Sequence, residues 1–96
     1  MQINGVQMKT PIYCKLEGKP QGDPPEIRYT LSAEWSVLDK VQMQVALDAP
    51  AGTASIAVPD PELGTIKHMS VKIKSTRAFL HGDKYRNVLI IWEEVL

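Results

Sequence analysis

The residue types that do chemistry are few in this chain of 96 residues, and their spacing assembles no catalytic set. There are two histidines, His68 and His81, and one cysteine, Cys14. None stands at ligand spacing from another, so a zinc site has no ligand set to build on. Cys14 has no obvious partner base, and a lone small apolar residue of this kind is expected in a core. Glu93 and Glu94 are adjacent, so on a strand they face opposite sides and cannot act as an acid–base pair. The glycine patterns of dinucleotide sites and P-loops are missing, and so is a G-x-S-x-G elbow. Tyr29, Trp35 and Trp92 suit base stacking or a core, and the core is the commoner use. Lys67, Lys72, Lys74 and Arg77 make a small basic patch that reads as the solvated face of one strand. The expectation is a protein that is not an enzyme, with no cofactor and no metal.

These residues have to be positioned by a single domain, since 96 residues seldom make two. A chain of this size buries about 60–65% of its unfolded surface, enough for a modest core without staples. One cysteine permits no disulfide within the chain, and nothing points to an oxidising compartment. Eleven basic residues balance eleven acidic ones, which argues against nucleic acid as a partner, because such binders carry a basic excess. No apolar run approaches the roughly 18–20 residues that span a bilayer. The first residues show neither a basic segment nor an apolar stretch of the signal-peptide kind. A soluble protein made in the cytosol is expected, with no membrane contact.

The clearest element runs from Glu26 to Trp35, where Ile27, Tyr29, Leu31, Ala33 and Trp35 alternate with polar residues. That period of two marks a strand with one buried face. Met69, Val71 and Ile73 alternate in the same way with His68, Ser70, Lys72 and Lys74. The run Val88–Trp92 is apolar on both faces, so a central strand covered on both sides is expected, or one face meeting another subunit. Asn4-Gly5 predicts a tight hairpin pairing 1–3 with 6–8. A short strand is expected over Ile12–Leu16, with Ile12, Cys14 and Leu16 sharing a face, and another over Thr53–Val58.

Two glycines and three prolines between Glu17 and Pro25 predict an exposed loop, and a second loop is expected over Thr76–Tyr85 around Gly82-Asp83. Val58-Pro59-Asp60-Pro61-Glu62-Leu63-Gly64 reads as sharp turn punctuation. The stretch Ser36–Asp48 is ambiguous. Val41, Met43, Val45 and Leu47 fit a strand, while Leu38, Val41 and Val45 fit a helical stripe capped by Ser36. Its good helix formers favour the helix. The fold class expected is mainly β (α+β): a compact antiparallel sandwich or barrel with one flanking helix.

Five segments carry a resemblance. Ile3-Asn4-Gly5-Val6 followed by Thr10-Pro11 is one, and Leu31-Ser32-Ala33-Glu34-Trp35 closing an alternating strand is another. After these come a helix, Pro59-Asp60-Pro61-Glu62-Leu63-Gly64, and a closing strand over 88–95. In this series the chain resembles the small tail structural proteins of long-tailed bacteriophages. It departs from them in a shorter Glu17–Pro25 segment and in lacking an aromatic-glycine element after Ile73. The resemblance implies a tail-tube-like fold and a structural role in a virion built in host cytoplasm. It also implies assembly into a homo-oligomeric ring, commonly a hexamer, in contact with other tail proteins. Rings use heterologous contacts. The two exposed loops are the expected contact segments, through Lys19, Gln21 and Asp23 in the first and Arg77, Phe79, His81, Asp83 and Lys84 in the second. Two other readings stand beside this one: a small binding module such as a phage-encoded inhibitor of a host protein, and a single-stranded nucleic-acid-binding barrel.

Overall fold

The computed structural model describes residues 2–47, 53–59 and 66–95. It is mainly β with one helix. The elements are β1 (Gln2–Ile3), β2 (Val6–Gln7), β3 (Tyr13–Gln21), β4 (Glu26–Asp39), α1 (Lys40–Leu47), β5 (Thr53–Pro59), β6 (Ile66–His81) and β7 (Lys84–Glu94). The seven strands form one ladder in the order β2-β1-β5-β6-β7-β4-β3, with every neighbouring pair antiparallel.

The ladder is curled, and chain length requires it. β2 and β3 are its outermost strands, and in a flat sheet six spacings would hold them about 29 Å apart. Only residues 8–12 join them, and the six steps from Gln7 to Tyr13 reach at most about 22 Å. The crossing stretch is tied across the curl by side chains. The indole Nε1 of Trp35 donates to the Lys9 carbonyl at 2.8 Å, and the Lys9 amide donates to the Gln42 side-chain oxygen at 2.9 Å. The Ile12 amide donates to the Glu34 carbonyl at 2.8 Å. The curl is not closed by strand pairing, for β2 and β3 do not pair among the described residues.

The core lies inside the curl. Ile3, Ile56, Met69 and Val71 come from one half of the ladder, and Leu31, Ala33, Trp35, Val88, Ile90 and Trp92 from the other. Met8 and the helix residues Met43 and Ala46 join the same cluster. Trp35 and Trp92 meet edge to face, with ring centroids 6.5 Å apart and planes at 87°. These two tryptophans are core aromatics, and neither is available for stacking on a base.

The alternation read from sequence holds where it was strongest. Leu31, Ala33 and Trp35 are buried, but on the same face Tyr29 is only half-buried and Ile27 is exposed. Met69 and Val71 are buried, with Ile73 half-buried and Lys72 and Lys74 exposed. Val88–Trp92 belongs to β7, a central strand between β6 and β4, whose outer residues Leu89 and Ile91 are half-buried. The Asn4-Gly5 turn has φ of 50° and 79°, the left-handed pair that such a hairpin needs.

Four expectations change. The first is the Glu17–Pro25 loop, because Glu17–Gln21 is strand and only residues 22–25 turn. Proline and glycine fit there because β3 is an edge strand, where a missing donor faces solvent. Gly18 also has a packing reason. A Cβ on it would lie 2.9 Å from Ile27 Cγ2 and from Tyr29 Cε1.

The second is the Thr76–Tyr85 loop, of which only Gly82 and Asp83 turn. β6 runs on to His81, which pairs with Lys84. Gly82 at φ 66° makes this a two-residue hairpin with glycine first.

The third is the start of the helix. Ser36–Asp39 continues β4, and Asp39 caps α1 by accepting from the Gln42 amide at 2.8 Å. The buried face of α1 is Met43 and Ala46, while Val41 is 74% exposed. The fourth is Cys14, which is exposed on the edge strand and not in the core. Ile12, given the same face, precedes β3 and is exposed. The Pro-Asp-Pro turn lies mostly outside the described residues, with Val58 and Pro59 ending β5.

Candidate interaction surface

Two hairpins project from opposite ends of the molecule. The β3–β4 turn follows the Gln21↔Glu26 pair at the start of β4, and the β6–β7 turn follows His81↔Lys84, with Lys84 opposite Asp39 at the end of β4. The fourteen residues of β4 separate them. At about 3.3 Å per residue that is about 43 Å, close to the 48 Å long axis of the protein.

The candidate contact residues therefore fall into two groups that cannot form one site. Lys19 and Gln21 lie on β3 and Asp23 in its turn. Arg77, Phe79 and His81 lie on β6, Asp83 in the turn and Lys84 on β7. All eight are exposed. Those expected on loops stand instead on strands, apart from Asp23 and Asp83, so their spacing is fixed by ladder register.

The β3–β4 end is a two-stranded ribbon. Pairing of β4 with β7 stops at Thr30↔Glu93, so residues 26–29 have only β3 beside them. The base of the ribbon is anchored by the two glutamates that looked idle in the sequence. Glu93 Oε1 pairs with Arg28 Nη1 at 3.2 Å, and Glu94 Oε1 accepts from the Tyr29 amide at 3.4 Å. Beyond that anchor Ile27 is 50% exposed.

The β6–β7 end is apolar and basic. Phe79 and Leu80 are 57% and 58% exposed. Leu80 was missed by the sequence reading, although Ala78-Phe79-Leu80 is an unbroken apolar run on a strand and must place apolar groups on both faces. Arg77, Lys84 and Arg86 lie near them in the ladder, and Lys74 and Lys72 stand farther back along β6, all exposed. Residues 72–86 thus hold five positive charges and one negative, a net +4, which leaves −4 for the rest of a neutral chain.

No group of three or more His, Cys, Asp or Glu that could hold a metal ion occurs among the described residues. No described helix is long and apolar enough to cross a membrane. Desolvation by its surroundings pushes the Cys14 thiol above its ordinary pKa despite its exposed position. Such a thiol is a poor nucleophile near neutral pH. Trp92 Nε1 and Arg28 Nε are buried with no hydrogen-bond partner. The chemistry on offer at both ends is contact chemistry: exposed apolar groups, mixed charge and strand edges. Compared with models of protein families, with curated proteins and with solved structures, the chain matches none.

Proposed function

We propose that the chain is a non-enzymatic structural component of a bacteriophage tail, oligomerising into rings and contacting neighbouring tail proteins in the virion. One observation carries the assembly part of this reading. The molecule is elongated, and each end presents apolar side chains to water, Ile27 at one and Phe79 with Leu80 at the other. Apolar groups on two opposite ends suit heterologous contacts, in which one copy meets two different neighbours. The phage part rests on the motif series from Ile3-Asn4-Gly5-Val6 to the closing strand. A curled mainly-β domain with one flanking helix is compatible with a tail-tube-like role.

The test is the solution mass measured by light scattering over a range of concentrations, with negative-stain images of the same samples. Rings or stacked tubes are expected. A monomer at every concentration, even with other tail proteins added, would overturn the reading. The protein would then be taken for a small β-rich binding module such as an inhibitor of a host protein. The exposed Phe79–Leu80 pair is the feature that favours this second reading.

A further inference from the structure

β6 is paired on both sides only over part of its length. β5 accompanies it up to the Thr53↔Lys72 pair, and β7 accompanies it to His81. From Ile73 to His81, nine residues, no described strand pairs with the other edge. We infer that this edge accepts an extended acidic segment of a partner protein as an added strand, held by main-chain hydrogen bonds and by the cationic side chains around it. The inference does not depend on the tail reading.

Three observations converge on that occupant. A bare strand edge presents a row of amide donors and carbonyl acceptors, and the partner that matches such a row is another extended backbone. A polynucleotide offers no matching row of main-chain donors and acceptors; Trp35 and Trp92 are sealed in the core, which leaves Phe79 as the exposed aromatic of this hairpin. The second observation is charge. Lys72, Lys74, Arg77, Lys84 and Arg86 are all exposed on this hairpin; within residues 72–86 Asp83 is the single acidic residue, while Glu93 stands opposite Lys72 and Asp39 opposite Lys84 in the ladder. Across an interface, complementary charge speeds encounter and rejects like-charged partners. The third excludes a second copy as the added strand. The other long edge without a partner strand among the described residues is β3, which carries Lys15 and Lys19 with Glu17 between them and lacks a donor at Pro20. Two β6 edges would likewise set Lys74 and Arg77 against themselves. Phe79 and Leu80 stand exposed at the far end of the strand, where they can cover apolar side chains of the incoming one.

The probe is a fluorescein-labelled peptide of about nine residues in which glutamate alternates with valine, the length that the free edge matches. Its lysine counterpart and an oligothymidylate serve as comparators. Anisotropy should show the acidic peptide binding at about 50 mM salt and weakening as salt is raised, with no binding of the lysine peptide. Amide exchange over residues 73–81 should slow at alternate positions when the acidic peptide is bound, because only every second amide of a strand points to one edge. The double variant Lys74→Glu/Arg77→Glu should lose at least about tenfold in affinity. Neither side chain makes an ion pair among the described residues, so the circular dichroism and melting temperature should be unchanged. Any of three results overturns the inference: no binding of the acidic peptide, binding without protection of residues 73–81, or tighter binding of the oligothymidylate with no alternate protection.

Discussion

Trp35 acts through both of its surfaces. Its edge meets the face of Trp92 or the reverse in a T-shaped pair, and its indole N–H holds the Lys9 carbonyl of the crossing stretch. In Trp35→Phe the carbonyl loses its donor, which costs about 1–3 kcal/mol, and the lost ring volume adds to this. Urea unfolding should show that loss, and amide exchange at Ile12 should quicken because the stretch is tied less firmly. Cys14 gives a prediction with a pH sign. Its thiol holds its proton above the ordinary value of 9.0 because desolvation penalises the thiolate. Alkylation by iodoacetamide at pH 8 should therefore be slower in the folded protein than in urea. The folded chain binds that proton more tightly than the unfolded one, so the stabilisation is present below the ordinary value and is lost as pH rises through the raised one. The sequence made Trp35 legible through its place in a ten-residue alternation. It misplaced Cys14 because alternation names a face and cannot say how fully it is covered, and at that point of β3 neighbouring groups desolvate the thiol in part but leave the residue exposed.

At the scale of elements, the helix and the two hairpins carry the lesson. Sequence alone put a cap at Ser36, since serine before an apolar period is a common start. The chain instead stays extended for three more residues, because Leu38 is buried on the strand and pairs across to Tyr85. Asp39 then caps α1. Asp39→Ala should cost about 0.5–2 kcal/mol, while Ser36→Ala should stay within about 0.5 kcal/mol of the parent. Thermal or urea unfolding of the two variants separates them. A larger loss at Ser36 would contradict the observed helix start. The hairpin turns at Asn4-Gly5 and Gly82-Asp83 were legible from local residue types. The lengths of β3 and β6 were not, because proline, glycine and polar runs look like loop until the partner strand beyond them is known.

At the scale of the molecule, mainly-β composition with one helix could be read from periodicity, but strand order could not. β7 lies between β6 and β4, and β1 finds β5 across more than fifty residues. Such pairings leave no local mark. The order decides which surfaces face outward, so the stretch of β6 edge left unpaired among the described residues and the separation of the two ends came only with the structure. It also recasts the assembly experiment. Shortening residues 17–25 or 76–85 would remove ladder pairs as well as contacts, so point changes at the tips are the cleaner probe. Phe79→Ser with Leu80→Ser should lower the mass measured by light scattering while leaving the melting temperature nearly unchanged, since both side chains are more than half exposed. Assemblies of undiminished mass would show that this end is not a contact.

The place of β7 in the ladder also sets a schedule. A ribosome completes β4 at Asp39 and β7 only at Glu94, 55 residues later. At about 5–20 residues per second, the interval is about 3–11 s. During it the nascent chain holds two separate fragments, β3–β4 and the group around β6, with no strand to join them. Leu31 and Trp35 wait uncovered, and β4 offers a bare edge to anything nearby. A strand-binding chaperone has its opportunity in those seconds, and a ribosome that stalls before Lys84 releases a product that cannot close its core.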